Sequence, residues 1–463
     1  MSRERRRLHA QLRALAPQLV VALVTTVAAV TVACAPALTR GIPDEAPSAT
    51  AVPTANAAPT ITVGTSEGRL ERARDRMAHV ALDGRARLAP VSATGRWRID
   101  EQGGRGALVR GQGDEPWRIE QNGRLLRVAG EGSDATPWRE GPFVARPLEG
   151  ESFVRYSGKR YRGELWFTAT DSGVMVVNRL PVEDYLRGVV PLEIGTRSET
   201  DRAAIEAQAI AARSYTYVRV PQGSVDLPVS GWNLTATVQH QVYGGVEAEH
   251  PVVNAAIDAT AGLVLRYNGK AVDAPFHSSC GGRTAAPPEA WRGVGAESYL
   301  QPVSDIDPRT GRPYCDLSPR NHWHAEFDEA QLAAAVRSAL QAQGARDPRP
   351  AAVHGIKVGA TGPSGRVTSL VLATERGDVP IAARDIRAVL RDARGAMLQS
   401  TYFTVDREAR RGARLASLTL RGAGNGHGVG MCQWGAIGRA RAGADARSIL
   451  RHYYPGTAVG FAD

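Results

Sequence analysis

Lysine is nearly missing from this chain of 463 residues: it stands only at positions 159, 270 and 357, so arginine carries almost all the positive charge. The formal net charge is +10, yet no run of Lys and Arg interleaved with aromatics occurs, which argues against a nucleic-acid binder. Part of the excess sits at the start, where Arg3, Arg5, Arg6, Arg7 and Arg13 face Glu4 alone. The remainder suits an anionic wall or membrane surface. Aromatics are scarce at 6%, whereas Gly (49) and Pro (28) abound. That balance excludes an all-α bundle and favours many short strands joined by turns. The Gly-rich stretch from Gly422 to Gly430 lacks G-x-G-x-x-G spacing and has no Gly-Lys-Ser/Thr after it, so it is not a nucleotide loop. Its glycines instead let the backbone approach a ligand or another segment closely, with His427 displayed between them.

With 43% hydrophobic and 22% charged residues, the chain can bury a full core and divide into more than one domain. Residues 1–37 read as an export segment: a basic stretch, then the apolar run Leu19 to Val32, too short and too rich in small residues for a membrane span. Cys34 follows Thr31-Val32-Ala33, which leaves lipidation at Cys34, cleavage near Ala37, or a retained anchor open. Residues 38–66, rich in Ala, Pro and Thr, form a tether that buries no core. A charged stretch from Glu67 to His79 reads as a helix.

Residues 67–150 form a small β-rich module. Trp97-Arg98-Ile99, Trp117-Arg118-Ile119 and Trp138-Arg139 make a weak repeat, and Asn122-Gly123 signals a hairpin. Packing of successive hairpins explains these tryptophans better than a sugar-stacking surface. Further on, Pro181 suits the first position of a helix running to about Val190. A second helix is expected from Arg202 to Val218, capped by Thr200 or Asp201, its many alanines allowing close packing. Another spans Leu332 to Gln343, followed by strands at 355–358 and 367–373. The fold class is α+β.

The strongest signal is a set of motifs in residues 151–463. They are Leu180-Pro181-Val182-Glu183-Asp184-Tyr185-Leu186-Arg187-Gly188-Val189-Val190-Pro191-Leu192-Glu193, then Ala207-Gln208-Ala209-Ile210-Ala211-Ala212-Arg213-Ser214-Tyr215, and Gln241-Val242-Tyr243-Gly244-Gly245. Ser278-Ser279-Cys280-Gly281-Gly282, Gly426-His427-Gly428-Val429-Gly430-Met431-Cys432-Gln433-Trp434-Gly435 and Leu450-Arg451-His452-Tyr453-Tyr454-Pro455-Gly456 complete the set. In this order they resemble the stage II sporulation protein D / amidase-enhancer family (SpoIID/LytB-like). The resemblance implies a domain with a glycan-binding groove. It implies either a peptidoglycan lytic transglycosylase or a non-catalytic, glycan-binding enhancer of a wall amidase. It maps the catalytic acid/base onto Glu193, although Ile194-Gly195 follows where the family has Met-Pro. Within these motifs Tyr215, Tyr243, His427, Gln433, Tyr453 and Tyr454 are the candidate substrate-binding residues, with a satisfied structural histidine the alternative for His427 and the two C-terminal tyrosines counted if they line the groove.

The residues around Glu193 carry an argument of their own. Val189, Val190, Pro191, Leu192 and Ile194 would desolvate its carboxyl and raise its pKa, keeping a proton available for a leaving oxygen. In a lytic reaction the sugar's own 6-hydroxyl attacks the anomeric carbon, so one carboxyl serves as acid and then as base. Glu183 and Asp184 are explained by the start of a helix.

Among the four cysteines, Cys280 and Cys315 suit a loop-closing disulfide in an oxidising compartment, with Cys432 a small buried residue. The alternatives are structural zinc on His277, Cys280 and Cys315, completed by His322, His324 or water, and free thiols. No cofactor is required by the chemistry. The expected partners are glycan strands and a wall amidase, with N-terminal membrane association and no nucleic acid.

Overall fold

The computed structural model describes residues 76–462 except 105, 133–134, 221–230, 238 and 292. The export segment, the tether, Cys34 and most of the expected helix from Glu67 lie outside the described residues. The end of that helix is corrected: Met77–Ala86 is a strand, paired antiparallel with Gly173–Pro181 in the register Met77↔Pro181 to Ala86↔Val174. An extended partner that offers a full hydrogen-bond ladder overrides the local helical pattern.

Two sheets organise the first part. A seven-stranded sheet runs in the order Leu234–Thr235, Met77–Ala86, Gly173–Pro181, Glu164–Thr170, Phe143–Pro147, Arg96–Glu101 and Ala107–Gln112. A five-stranded sheet runs Leu125–Gly130, Trp117–Asn122, Leu88–Ala93, Val154–Tyr156 and Lys159–Tyr161. Strands from both sides of residue 150 share each sheet, so the expected module boundary there is not a break in the fold. Period-2 burial places Trp97 and Ile99 from one sheet, and Ile119, Leu126 and Val128 from the other, in a common core. Gly111 stands opposite Trp97 in the hairpin register, and a Cβ there would overlap the indole. Trp97 is wholly buried, as hairpin packing requires. In the Asn122-Gly123 hairpin, Asn122 pairs with Leu125 and Gly123 alone takes positive φ (59°), so the turn lies one residue later than expected.

Behind the sheets runs the helix Arg202–Arg219, close to its expected span. Twelve of its 18 residues are buried, which makes it an axis of the core and not an amphipathic surface helix. Its alanines admit the helices Pro251–Ala259, Gln433–Arg441 and Ala446–Tyr453 at close range. Asp201 does not cap it by side chain; its buried carboxylate is held by Arg441 Nε and Nη2 at 2.7 and 3.0 Å. The wholly buried Arg213 guanidinium is matched by both carboxylate oxygens of Glu183, each at 2.8 Å, so Glu183 is structural.

Residues 322–423 build a lobe with its own hydrophobic core, separate from the main one. Its sheets are His322–Asp328 with Arg414–Ala423 and Phe403–Arg411, and Val353–Thr361 with Val367–Thr374 and Gly377–Ala382. The helix Glu329–Ala342 starts three residues earlier than expected because Asp328 caps it, accepting from Gln331 N–H. Among the described residues, no helix is long and apolar enough to cross a membrane.

Candidate functional site

Glu193 lies on the short helix Val190–Ile194, which begins with a proline in its first turn and stops at Gly195. The φ of +80° at Gly195 is one that side-chain-bearing residues rarely adopt. Val190, Pro191 and Ile194 face the core while Leu192 is 46% exposed, so the apolar shield around Glu193 lacks one expected member. The half-buried carboxyl accepts the Val242 N–H at 3.0 Å through Oε1. Burial raises its pKa, opposed by this backbone bond and by the Gln433 amide beside it. The result is a carboxyl that keeps its proton to higher pH than an exposed glutamate.

A cavity of about 480 Å³ opens next to it, lined by Tyr215, His240, Phe276, Trp291, Tyr299 and His427 among others. Glu193 is not on its wall, but an electrostatic and a chain connection link them. Tyr215 lines the cavity and feels the Glu193 charge. The segment that supplies Gln239 and His240 to the wall continues into Val242, which binds the carboxyl. The cavity also carries Asp273, which receives Nη1 and Nη2 of Arg219 at 3.0 Å each, while the Arg219 guanidinium stacks 3.4 Å over the Tyr215 ring. A walled trough of aromatic faces and paired charges suits a sugar chain, whose rings stack and whose hydroxyls need fixed partners.

The expected binding residues divide. Tyr215 and His427 reach the cavity, and Gln433 adjoins Glu193. Tyr243, Tyr453 and Tyr454 do not: all three are buried, and each hydroxyl is spent inside the protein. Tyr243 donates to Asn178 Oδ1 at 2.7 Å, Tyr453 to Asp305 Oδ1 at 2.8 Å, and Tyr454 to the Pro275 carbonyl at 2.7 Å. They are core residues. His427 presents a ring face to the cavity, since Nδ1 accepts the Val429 N–H at 3.1 Å and Nε2 lies 2.9 Å from the Phe276 carbonyl. Burial pushes its pKa down to about 4, so it is a neutral wall packed at a tilt against Trp291 (4.9 Å between ring centroids, 43° between planes). Gly426, Gly428 and Gly430 all take positive φ, and Cβ atoms there would strike His277, Arg366 and Pro275. Their close approach is to another segment.

The cysteine expectations are redrawn. Cys280 and Cys315 are buried with their sulfurs 3.7 Å apart. Cys432 and Asp305, neither of them in the expected set, complete a buried group of four. His277 stands outside it, its Nδ1 3.2 Å from the Val429 carbonyl. His322 and His324 are exposed on the lobe, His322 beside Asp316 at 2.6 Å. Trp291, Phe276 and Tyr299 were also missed; Trp291 and Tyr299 sit in irregular chain, and Phe276 in a strand of two residues, too short for periodicity to mark it. The rarity of cysteine was the one signal that could have joined Cys432 to its partners.

The fold and site define an α+β protein with a half-buried glutamate near an aromatic-walled trough. A family model described as stage II sporulation protein matches residues 170–267, the stretch that carries Glu193, and a domain of unknown function matches residues 315–430, the lobe. The chain is 30% identical to an uncharacterized protein of Brachyspira hyodysenteriae over 65% of its own length and 73% of that protein. It is also 30% identical to the amidase enhancer of Bacillus subtilis over 59% of its length, spanning only 40% of that longer protein. With stage II sporulation protein D of Bacillus subtilis it shares 26% identity over 62% of its own length and 76% of that protein. The chain belongs to the stage II sporulation protein D / amidase-enhancer family.

Proposed function

We propose that this protein works on peptidoglycan in the cell envelope, outside the cytoplasm, and cleaves glycan strands as a lytic transglycosylase between N-acetylmuramic acid and N-acetylglucosamine. The observation that carries the reading is the Glu193 carboxyl, its pKa raised by burial, close to a sugar-sized trough. The protonated acid gives its hydrogen to the glycosidic oxygen as the anomeric C–O bond breaks. The resulting carboxylate then takes the proton of the muramic 6-hydroxyl, whose oxygen closes on the anomeric carbon to give a 1,6-anhydro end. Val242 N–H holds Oε1 through both halves of the cycle. Tyr215, Trp291 and His427 supply ring faces for the sugars. No metal enters this chemistry. Export, with anchoring through the N-terminal segment or a lipid on Cys34, belongs to the same proposal.

The amidase enhancer among the relatives favours a second reading, in which the trough holds glycan for a wall amidase without cleaving it. Product analysis of purified wild type and Glu193→Gln, on glycan strands with and without stem peptides, decides. Wild type should release anhydro ends, and the Gln variant should bind strands normally but turn over about 10²-fold more slowly, the scale of a lost general acid. Undiminished anhydro product from Glu193→Gln would remove Glu193 as the catalyst. No product from wild type on either substrate would leave the enhancer reading.

A further inference from the structure

Three of the four cysteines converge on one point from distant parts of the chain. Cys280 lies in the turn after the strand Phe276–His277, Cys315 in the single turn Tyr314–Leu317, and Cys432 immediately before the helix Gln433–Arg441. Asp305 joins them from the segment between. One ligand atom from each lies within 4.8 Å of all the others, and all four residues are wholly buried. We propose that Cys280, Cys315, Cys432 and Asp305 form a structural zinc site that pins the root of the 322–423 lobe to the main core.

The two spacings around Cys280 Sγ are those of ligands around an ion. A tetrahedral zinc with Zn–S of about 2.3 Å and Zn–O of about 2.0 Å sets its sulfurs about 3.8 Å apart and sulfur to oxygen about 3.5 Å. Here Cys280 Sγ is 3.7 Å from Cys315 Sγ and 3.3 Å from Asp305 Oδ2. A Cys280–Cys315 disulfide would use two of the four groups and leave a thiol and a carboxylate buried against it.

The surroundings are arranged for anionic ligands. Asp305 Oδ1 receives the Tyr453 hydroxyl at 2.8 Å and Arg439 Nε at 2.9 Å, which turns Oδ2 toward the sulfurs. Backbone N–H groups of Cys280 and Gly435 point at Cys432 Sγ, both at 3.2 Å, and that of Gly282 at Cys280 Sγ at 3.3 Å. Such outer bonds fix ligand orientation. Three thiolates, one carboxylate and a divalent ion leave two negative charges. Arg439 and the wholly buried Arg366, whose Nη2 bonds the Cys280 carbonyl at 2.7 Å, supply two positive ones. Four protein ligands close the coordination sphere, as in structural and not catalytic zinc sites.

The test uses the full-length protein, purified from zinc-supplemented cells, with elemental analysis, thiol counting and cobalt replacement. One zinc per chain is expected, retained in His277→Ala. Cobalt should give sulfur-to-metal charge-transfer absorption of three-thiolate intensity. Cys432→Ser and Asp305→Asn should weaken zinc retention against a competing chelator, and Tyr453→Phe should lower affinity about 10–100-fold while all thiols remain. Metal-free protein, with either a mapped Cys280–Cys315 disulfide or three reactive thiols, overturns the proposal. Zinc lost from His277→Ala but kept in Cys432→Ser overturns the ligand set. Should Cys432→Ser fail to fold, wild-type cobalt absorption at two-thiolate intensity would equally refute it.

Discussion

Acid should weaken this fold through His427. Its two ring nitrogens face an N–H donor and a carbonyl, so the neutral ring satisfies both, and a second proton would displace the Val429 N–H from Nδ1. Burial, aided by the Arg387 and Arg366 charges, holds its pKa at about 4, against 6.5 in the unfolded chain. Between those limits the unfolded state binds more protons, so stability falls as pH falls; the contribution is complete above pH 6.5 and lost by about pH 4. At about 1.4 kcal/mol per pH unit the gap is worth roughly 3 kcal/mol. His277, packed 5.5 Å away, and His452 push in the same direction, so the effect must be read as a difference. His427→Asn removes the titration yet keeps an acceptor for Val429 N–H, the bond of an Asx turn. Urea unfolding at pH 7.5 and pH 4 should show wild type losing roughly 3 kcal/mol more than the variant. Equal losses would refute the assignment of His427 as a buried neutral wall residue.

Tyr454→Phe removes the hydroxyl that donates to the Pro275 carbonyl and accepts the Met431 N–H, leaving those two groups only their mutual bond at 3.2 Å; thermal unfolding should report a loss of about 1 kcal/mol, with glycan binding in a strand pull-down unchanged. Arg213→Leu leaves the Glu183 carboxylate without its bidentate partner, and denaturant unfolding should register a loss of about 3–5 kcal/mol.

Much of this was legible in the chain, and the misreadings have definite causes. The turn-rich composition gave mixed α+β, and the alanine run gave the central helix almost to its ends. Glu193 stood out because its apolar neighbours and the motif around it agree. Tyr453 was misassigned although the signal was present: Ala446, Ile449, Leu450 and Tyr453 are spaced three, four and seven apart, the buried stripe of the helix Ala446–Tyr453. Tyrosine at such a stripe is core whose hydroxyl has found an internal partner. Nothing local distinguishes Asp305 from Asp307 two residues on; only the fold puts one against sulfur and pairs the other with the exposed Arg309. The strand Met77–Ala86 was hidden for a similar reason, since its partner lies about a hundred residues away.

The start of the helix Gln433–Arg441 explains why the two sites belong together. Cys432 Sγ accepts the Gly435 N–H and so caps this helix from within the sulfur group. The next residue, Gln433, sets its amide beside the Glu193 carboxyl. The residue after that, Trp434, lies 4.5 Å under the Arg197 guanidinium, whose Nε bonds the Ile194 carbonyl at the end of the Glu193 helix. Three consecutive side chains therefore fix the sulfur group, the neighbour of the acid and the helix that carries the acid. An acid whose proton depends on burial is sensitive to small openings, because admitted water removes the desolvation that raises its pKa. Anchoring that helix start to a rigid buried cluster keeps the carboxyl shielded while the trough beside it stays open to a sugar chain.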